Sequence, residues 1–108
     1  MNEGLYKAEF ETPFGKGTAV IYLHNGLFRG GNSALFYKGT YEIDGKTLHA
    51  QAKIKRHSQD LNIASVFGMD DITVTVEGVI EGDIINVDGL SDDVPDMQMR
   101  GKFTRLCD

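Results

Sequence analysis

The chain has 108 residues, with 11 basic and 16 acidic side chains, a formal net charge of −5, 13 glycines and one cysteine. That length suits a single domain spanning residues 1–108, able to bury about 65% of its unfolded surface without covalent staples. A lone cysteine excludes an internally cross-linked scaffold, and no apolar run reaches the ~18 residues of a membrane helix. The negative charge argues against nucleic acid, whose binding needs cations to displace counterions.

The opening Met1–Lys7 has neither a basic start nor an apolar stretch behind it, so no signal peptide is expected and the location expected is cytoplasmic. Strands are expected at Leu5–Glu11 and Lys16–Leu23, joined by the turn-forming Thr12-Pro13-Phe14-Gly15. Gly15-Lys16-Gly17-Thr18 has a passing likeness to a phosphate loop. The residues after it, Val20-Ile21-Tyr22, are strand-like, so no helix N-terminus stands ready for a phosphate. Asn25-Gly26 accepts positive φ at both central positions of a two-residue hairpin and leads into a short strand at Leu27–Arg29. Between Phe28 and Phe36, the pair Gly30-Gly31 marks backbone that a side chain would obstruct, at a bulge or barrel corner.

Tyr37, Gly39, Tyr41 and Ile43 face one side of the next strand, with Lys38, Thr40 and Glu42 on the other. Asp44-Gly45 is expected to form a second positive-φ hairpin. Beyond it Leu48, Ala50, Ala52 and Ile54 alternate with His49, Gln51, Lys53 and Lys55, a half-buried strand. From His57 to Gly68 the alternation stops. Ser58 or Asp60 can cap a short helix near residues 60–67 and Gly68 can end it, with Leu61, Ala64, Val66 and Phe67 against the barrel mouth. Period two returns at Ile72–Ile80, then after Glu81-Gly82-Asp83 at Ile84–Asp88, and last at Met97–Thr104. Eight short strands joined mostly by tight turns predict an all-β, up-and-down antiparallel barrel, with small and large residues mixed on its inward face. Closure also removes free edges.

Catalytic and metal signatures are absent from these patterns. His57, Ser58 and Asp60 carry the letters of a hydrolase triad, but so few consecutive residues cannot align nucleophile, base and orienting carboxylate. Cys107 has no base beside it. His24, His49 and His57 lack metal-ligand spacing, and Asp92, Asp93 and Asp96 lack the alternating oxygens and glycine of a calcium loop. No enzyme activity, metal or cofactor is expected. Residues 1–57 hold eight basic and five acidic side chains and residues 58–108 three and eleven, so the halves are opposite in sign. This either gives the surface opposed patches or simply fills the acidic loops near Met69–Asp71 and Ser91–Asp96.

Glu3-Gly4-Leu5-Tyr6-Lys7-Ala8-Glu9-Phe10, the stretch from Asn25-Gly26 through Arg29-Gly30-Gly31-Asn32-Ser33-Ala34, and Tyr37-Lys38-Gly39-Thr40-Tyr41 resemble the GrlR family, named for a negative regulator of bacterial type III secretion. The resemblance is carried by residues Glu3 to about Ile54 and, beyond them, by strand pattern and length. It implies a lipocalin-like (calycin-like) barrel with a short helix, a homodimer, and sequestration of a transcriptional activator without contact to DNA. It also implies an activator contact in the turn after Tyr37–Tyr41, which here reads Glu42-Ile43-Asp44-Gly45-Lys46. The partner-binding candidates are therefore Glu42 and Asp44, joined from the acidic second half by Asp92, Asp93 and Asp96. The alternative is a carrier or sensor of a small apolar ligand, its cavity lined by Tyr37, Tyr41, Met97, Met99 and Phe103 under a 61–67 lid.

Overall fold

Alternation of apolar and polar residues is realised as a closed sheet in a computed structural model, which describes residues 1–13, 15–58 and 71–108. Its strands are β1 (Gly4–Thr12), β2 (Gly15–His24), β3 (Leu27–Gly31), β4 (Leu35–Asp44), β5 (Thr47–Arg56), β6 (Asp71–Glu81), β7 (Ile84–Leu90) and β8 (Met99–Cys107). Each strand pairs with its chain neighbour, and β1 pairs antiparallel with β8, so the eight form one up-and-down barrel. Among the described residues there is no helix, and none is long and apolar enough to cross a membrane. The helix expected near residues 60–67 falls outside the described residues.

Burial obeys the period-two pattern most cleanly on β6, where Ile72, Val74, Val76 and Ile80 are buried and the residues on the other face are exposed. The inward face alternates bulk. Tyr37 lies opposite Ile54, Gly39 opposite Ala52 and Tyr41 opposite Ala50 across β4 and β5. Glycine is needed where backbones crowd together: a Cβ at Gly30 would fall 2.2 Å from the Val20 carbonyl oxygen, and one at Gly39 1.9 Å from that of Gln51. The obstruction expected at Gly30-Gly31 is therefore present, and it comes from neighbouring strands.

Three local expectations are corrected. Asn25 and Gly26 both take positive φ, as a type I′ hairpin requires, but the second hairpin is displaced by one residue. Asp44 pairs with Thr47, leaving Gly45 and Lys46 as the central residues, with positive φ at Gly45 only. That is the type II′ pattern, and Gly82 repeats it after Glu81. Second, Met97 is not on a strand. Backbone bonds from Val94 N to Ser91 O (3.2 Å) and from Met97 N to Val94 O (3.0 Å) turn the chain through this segment, and β8 begins at Met99. Third, Ile43 has the inward parity but is 39% exposed, because it lies at the rim beyond the packed interior.

Up-and-down connectivity gives the barrel two unlike ends. A hairpin end gathers the turns at Asn25-Gly26, Gly45-Lys46 and Gly82-Asp83 with the start of β1 and the close of β8. The loop end gathers the β3–β4 turn and the connections that leave β5 and β7. The hairpin end is tied to the residues ahead of β1. Arg105 donates from Nε and Nη2 to the Glu3 carbonyl (3.1 and 3.0 Å), the Asn25 amide donates to the Glu3 carboxylate, and the Tyr6 hydroxyl donates to the Asn2 carbonyl. At the loop end Asn32 does comparable work. Its Oδ1 accepts from the amides of Ala34 (3.0 Å) and Leu35 (2.9 Å), while Nδ2 donates to the Thr18 carbonyl (3.3 Å).

Candidate functional site

Within the barrel the described residues line a small space. Tyr37, Met99 and Phe103 line a cavity of about 30 Å³ with Ala8, Ile21 and Phe28. That is space for about one or two water molecules, against the several hundred Å³ of a small-molecule site. The other two expected lining residues do not reach it. Tyr41 is buried toward the hairpin end, where its hydroxyl lies 3.4 Å from a Glu3 carboxylate oxygen, and Met97 packs half-buried against the edge of the core.

Burial acts on the titration of three tyrosines. Burial pushes the Tyr37 hydroxyl up to about 12, and that hydroxyl has no hydrogen-bond partner among the described residues. Desolvation also raises Tyr6 and Tyr41, opposed at Tyr6 by Arg105 and at Tyr41 by a backbone hydrogen bond to Gly26. A phenol held neutral in an apolar interior is poorly suited to proton transfer near neutral pH. Among the described residues no group of three or more His, Cys, Asp or Glu is placed to hold a metal.

Outside, the two acidic candidate clusters separate. Glu42 and Asp44 lie on β4 near the hairpin end, whereas Asp92, Asp93 and Asp96 lie on the β7–β8 connection at the loop end. One partner contact cannot be assembled from both by proximity. At the loop end the buried Ser91 hydroxyl donates to the Thr73 carbonyl (2.6 Å) and accepts from the Asp93 amide (3.2 Å), so its role there is to hold the turn. At the hairpin end, neighbours join that the chain order had kept apart. Val79, 51% exposed, sits between Glu77 and Glu81 on the outer face of β6, opposite Thr47, and Thr47 in turn pairs with Asp44. Ile84, 38% exposed, lies opposite Glu81, next to the Gly82-Asp83 turn. Exposed aliphatic side chains among carboxylates suit a basic, partly apolar partner.

His24 and His49, expected to be solvated, are exposed and each has a carboxylate beside it: Glu3 at 3.6 Å and Glu77 at 3.5 Å. His57 Nε2 lies 2.9 Å from the Asn32 carbonyl, and Asp60 falls outside the described residues. Cys107 is exposed at the end of β8. Gly15–Thr18 opens β2, as a hairpin in place of a phosphate loop requires.

A feature that the sequence does not reveal covers the outer faces of β3, β4 and β5. Arg29 lies opposite Lys38, and Lys38 opposite Lys53, with Lys55 one outward position farther along β5. The wall forms a shallow open hollow of about 600 Å³, which includes Phe36, Thr40 and Gln51. In the sequence each of these residues belongs only to the wet face of its own strand; pairing register is what aligns them.

No protein-family model matches the chain, and no curated protein matches it either.

Proposed function

We propose that this protein is a non-enzymatic regulatory binding module that acts through its exterior on a protein partner, in the manner implied by its resemblance to the GrlR family. The observation that carries the reading is the contrast between the small cavity lined by the described interior residues and an outer surface where Val79 and Ile84 are exposed among Glu77, Glu81, Asp83 and Asp44. The partner is a basic regulator, with a transcriptional activator as the specific case and a homodimer as the working form. Carboxylates at the hairpin end draw it in and orient it, and the aliphatic side chains supply desolvated contact. Of the acidic candidates, Glu42 and Asp44 belong to this surface; Asp92, Asp93 and Asp96 do not. A carrier of small apolar ligands would need a cavity about tenfold larger than the one these described residues line.

Capture of partners from the native cell, followed by mass spectrometry, tests this reading. Recovery of a basic regulator is expected, lost on Glu42→Lys with Asp44→Lys and kept on Asp92→Lys with Asp93→Lys. Equal capture by all three proteins would remove the hairpin end from the contact.

A further inference from the structure

The outer wall of β3–β5 carries a row of positive charge that forms no ion pair among the described residues. Strand neighbours stand about 4.8 Å apart, so Arg29, Lys38 and Lys53 form a continuous cross-strand row of like charge. Like charges directly opposite one another destabilise a sheet. Among the described residues, Lys38, Lys53 and Lys55 have no carboxylate within ion-pair distance. Arg29 turns its guanidinium onto the carbonyls of Phe28 and Gly39, at 2.9 Å each, and gains no counter-charge.

Elsewhere on the barrel, outward cations stand beside or opposite carboxylates, as Lys55 stands opposite Asp71 at the edge of this wall. Lys7 lies 3.5 Å from Glu9 and Lys16 lies 3.8 Å from Glu11. Arg100 is opposite both Asp88 and Glu11, and Lys102 is opposite Glu9. A chain of net charge −5 has carboxylates enough to interleave Arg29, Lys38 and Lys53 in the same way, yet these three stand side by side.

We propose that this wall docks an acidic segment of polypeptide, whose carboxylates meet Arg29, Lys38, Lys53 and Lys55. The proposal rests on the reading of the barrel as a protein-binding module and names the chemistry of a second contact, separate from the acidic hairpin end. Phe36, 39% exposed, borders the cations on one side and Leu27, 44% exposed, on the other, so the matching segment carries apolar residues between its acids. The surroundings choose polypeptide over nucleic acid. Asp71 is opposite Lys55, and the Glu42–His49–Glu77 row runs along the hairpin side of the wall. A long polyanion would overhang onto these carboxylates; a short acidic segment fits between them.

The test is fluorescence anisotropy with purified protein and three labelled probes: a short peptide rich in glutamate and leucine, its glutamine counterpart, and an oligo-thymidylate of similar length. The glutamate peptide is expected to bind at least about tenfold more tightly than either other probe, and Lys38→Glu with Lys53→Glu to weaken it about tenfold or more. Lys38→Glu alone removes the like-charge neighbour of both Arg29 and Lys53, so its melting temperature should rise by about 2–4 °C as binding falls. Tighter binding of the oligonucleotide would overturn the proposal in favour of a nucleic-acid surface, and indifference to the double reversal or a lowered melting temperature would also overturn it. If the glutamate peptide fails to bind while a cellular partner is still captured through Glu42 and Asp44, the wall is refuted and the module reading stands, so the two fail separately.

Discussion

The inner and outer faces of β4 and β5 obey different rules although they alternate residue by residue along the same strands. Inward, Tyr37 with Ile54, Gly39 with Ala52 and Tyr41 with Ala50 trade bulk for space, and Tyr37, Ala52 and Ile54 border a cavity of about 30 Å³. Outward, Phe36 lies opposite Lys55, Lys38 opposite Lys53 and Glu42 opposite His49. The first set is what packing alone would select. The second places Lys38 opposite Lys53, a like-charge pairing that costs stability and that packing alone would not select. The barrel's fold is thus specified from within, which leaves its outer positions free to answer to a partner.

The largest expected effect tests that division at adjacent residues. Ile21 is 1% exposed and Val20 is 46% exposed. Ile21→Ala should lower unfolding free energy by about 3 kcal/mol, and Val20→Ala by no more than about 0.5 kcal/mol. Urea titrations measure both, and similar losses would mean that the outward face also carries the fold. Next comes pH. The Tyr37 phenol, raised to about 12 by burial, keeps its proton in the folded barrel at a pH where the unfolded chain, near 10, has released it. Stability should therefore be fully present below pH 10 and fall by about 2 kcal/mol as pH climbs to 12. The raised hydroxyls of Tyr6 and Tyr41 add to the fall in the same direction. Unfolding measured at pH 9 and above 11 should show Tyr37→Phe losing the steepest part of the dependence. At neutral pH the same substitution removes a buried hydroxyl without a hydrogen-bond partner, and a gain of about 1 kcal/mol is expected. A loss instead would show that the hydroxyl is satisfied in solution.

How much of the molecule is legible in the chain depends on the range of each interaction. The strands are legible because the pattern that specifies them is local: Ile72, Val74 and Val76 reveal β6 without reference to any other strand. Met97 looks like strand because it alternates with Met99, but the successive turns that begin at Ser91 break the pleat before Met99. The hairpin at Gly45 is displaced by one residue because Asp-Gly fits either turn register, and the ladder from Leu35 to Asp44 decides between them. Of the expected cavity, parity places Tyr37, Met99 and Phe103 correctly, but parity says nothing of depth along the axis, so Tyr41 lies at the other end. The charged surfaces are least legible. Arg29, Lys38 and Lys53 are far apart in sequence and meet only through two successive registers, while Glu42 and Asp96 share a sign but lie near opposite ends of the barrel.

The smallest expected effect is the sharpest probe of the outer face, because it turns on sign. Glu9 accepts an ion pair from Lys7 at 3.5 Å and lies opposite Lys102, so Glu9→Gln removes an attraction and leaves two cations less well answered. Lys53 faces Lys38 and has no carboxylate within ion-pair distance among the described residues, so Lys53→Gln removes a repulsion. Both residues sit on strands of the same barrel, and both changes neutralise a single charge with little change of shape. Glu9→Gln should therefore destabilise, and Lys53→Gln stabilise, each by about 0.3–0.5 kcal/mol at low ionic strength. At 1 M salt, where the screening length is about 3 Å, both differences should shrink toward zero. Urea midpoints for the two variants at low and high salt decide the matter: opposite signs that collapse together place uncompensated charge on one wall and paired charge on the other. The same sign for both would mean that Lys53 already has its counter-charge in solution, and the wall would then have nothing left for an acidic partner to neutralise.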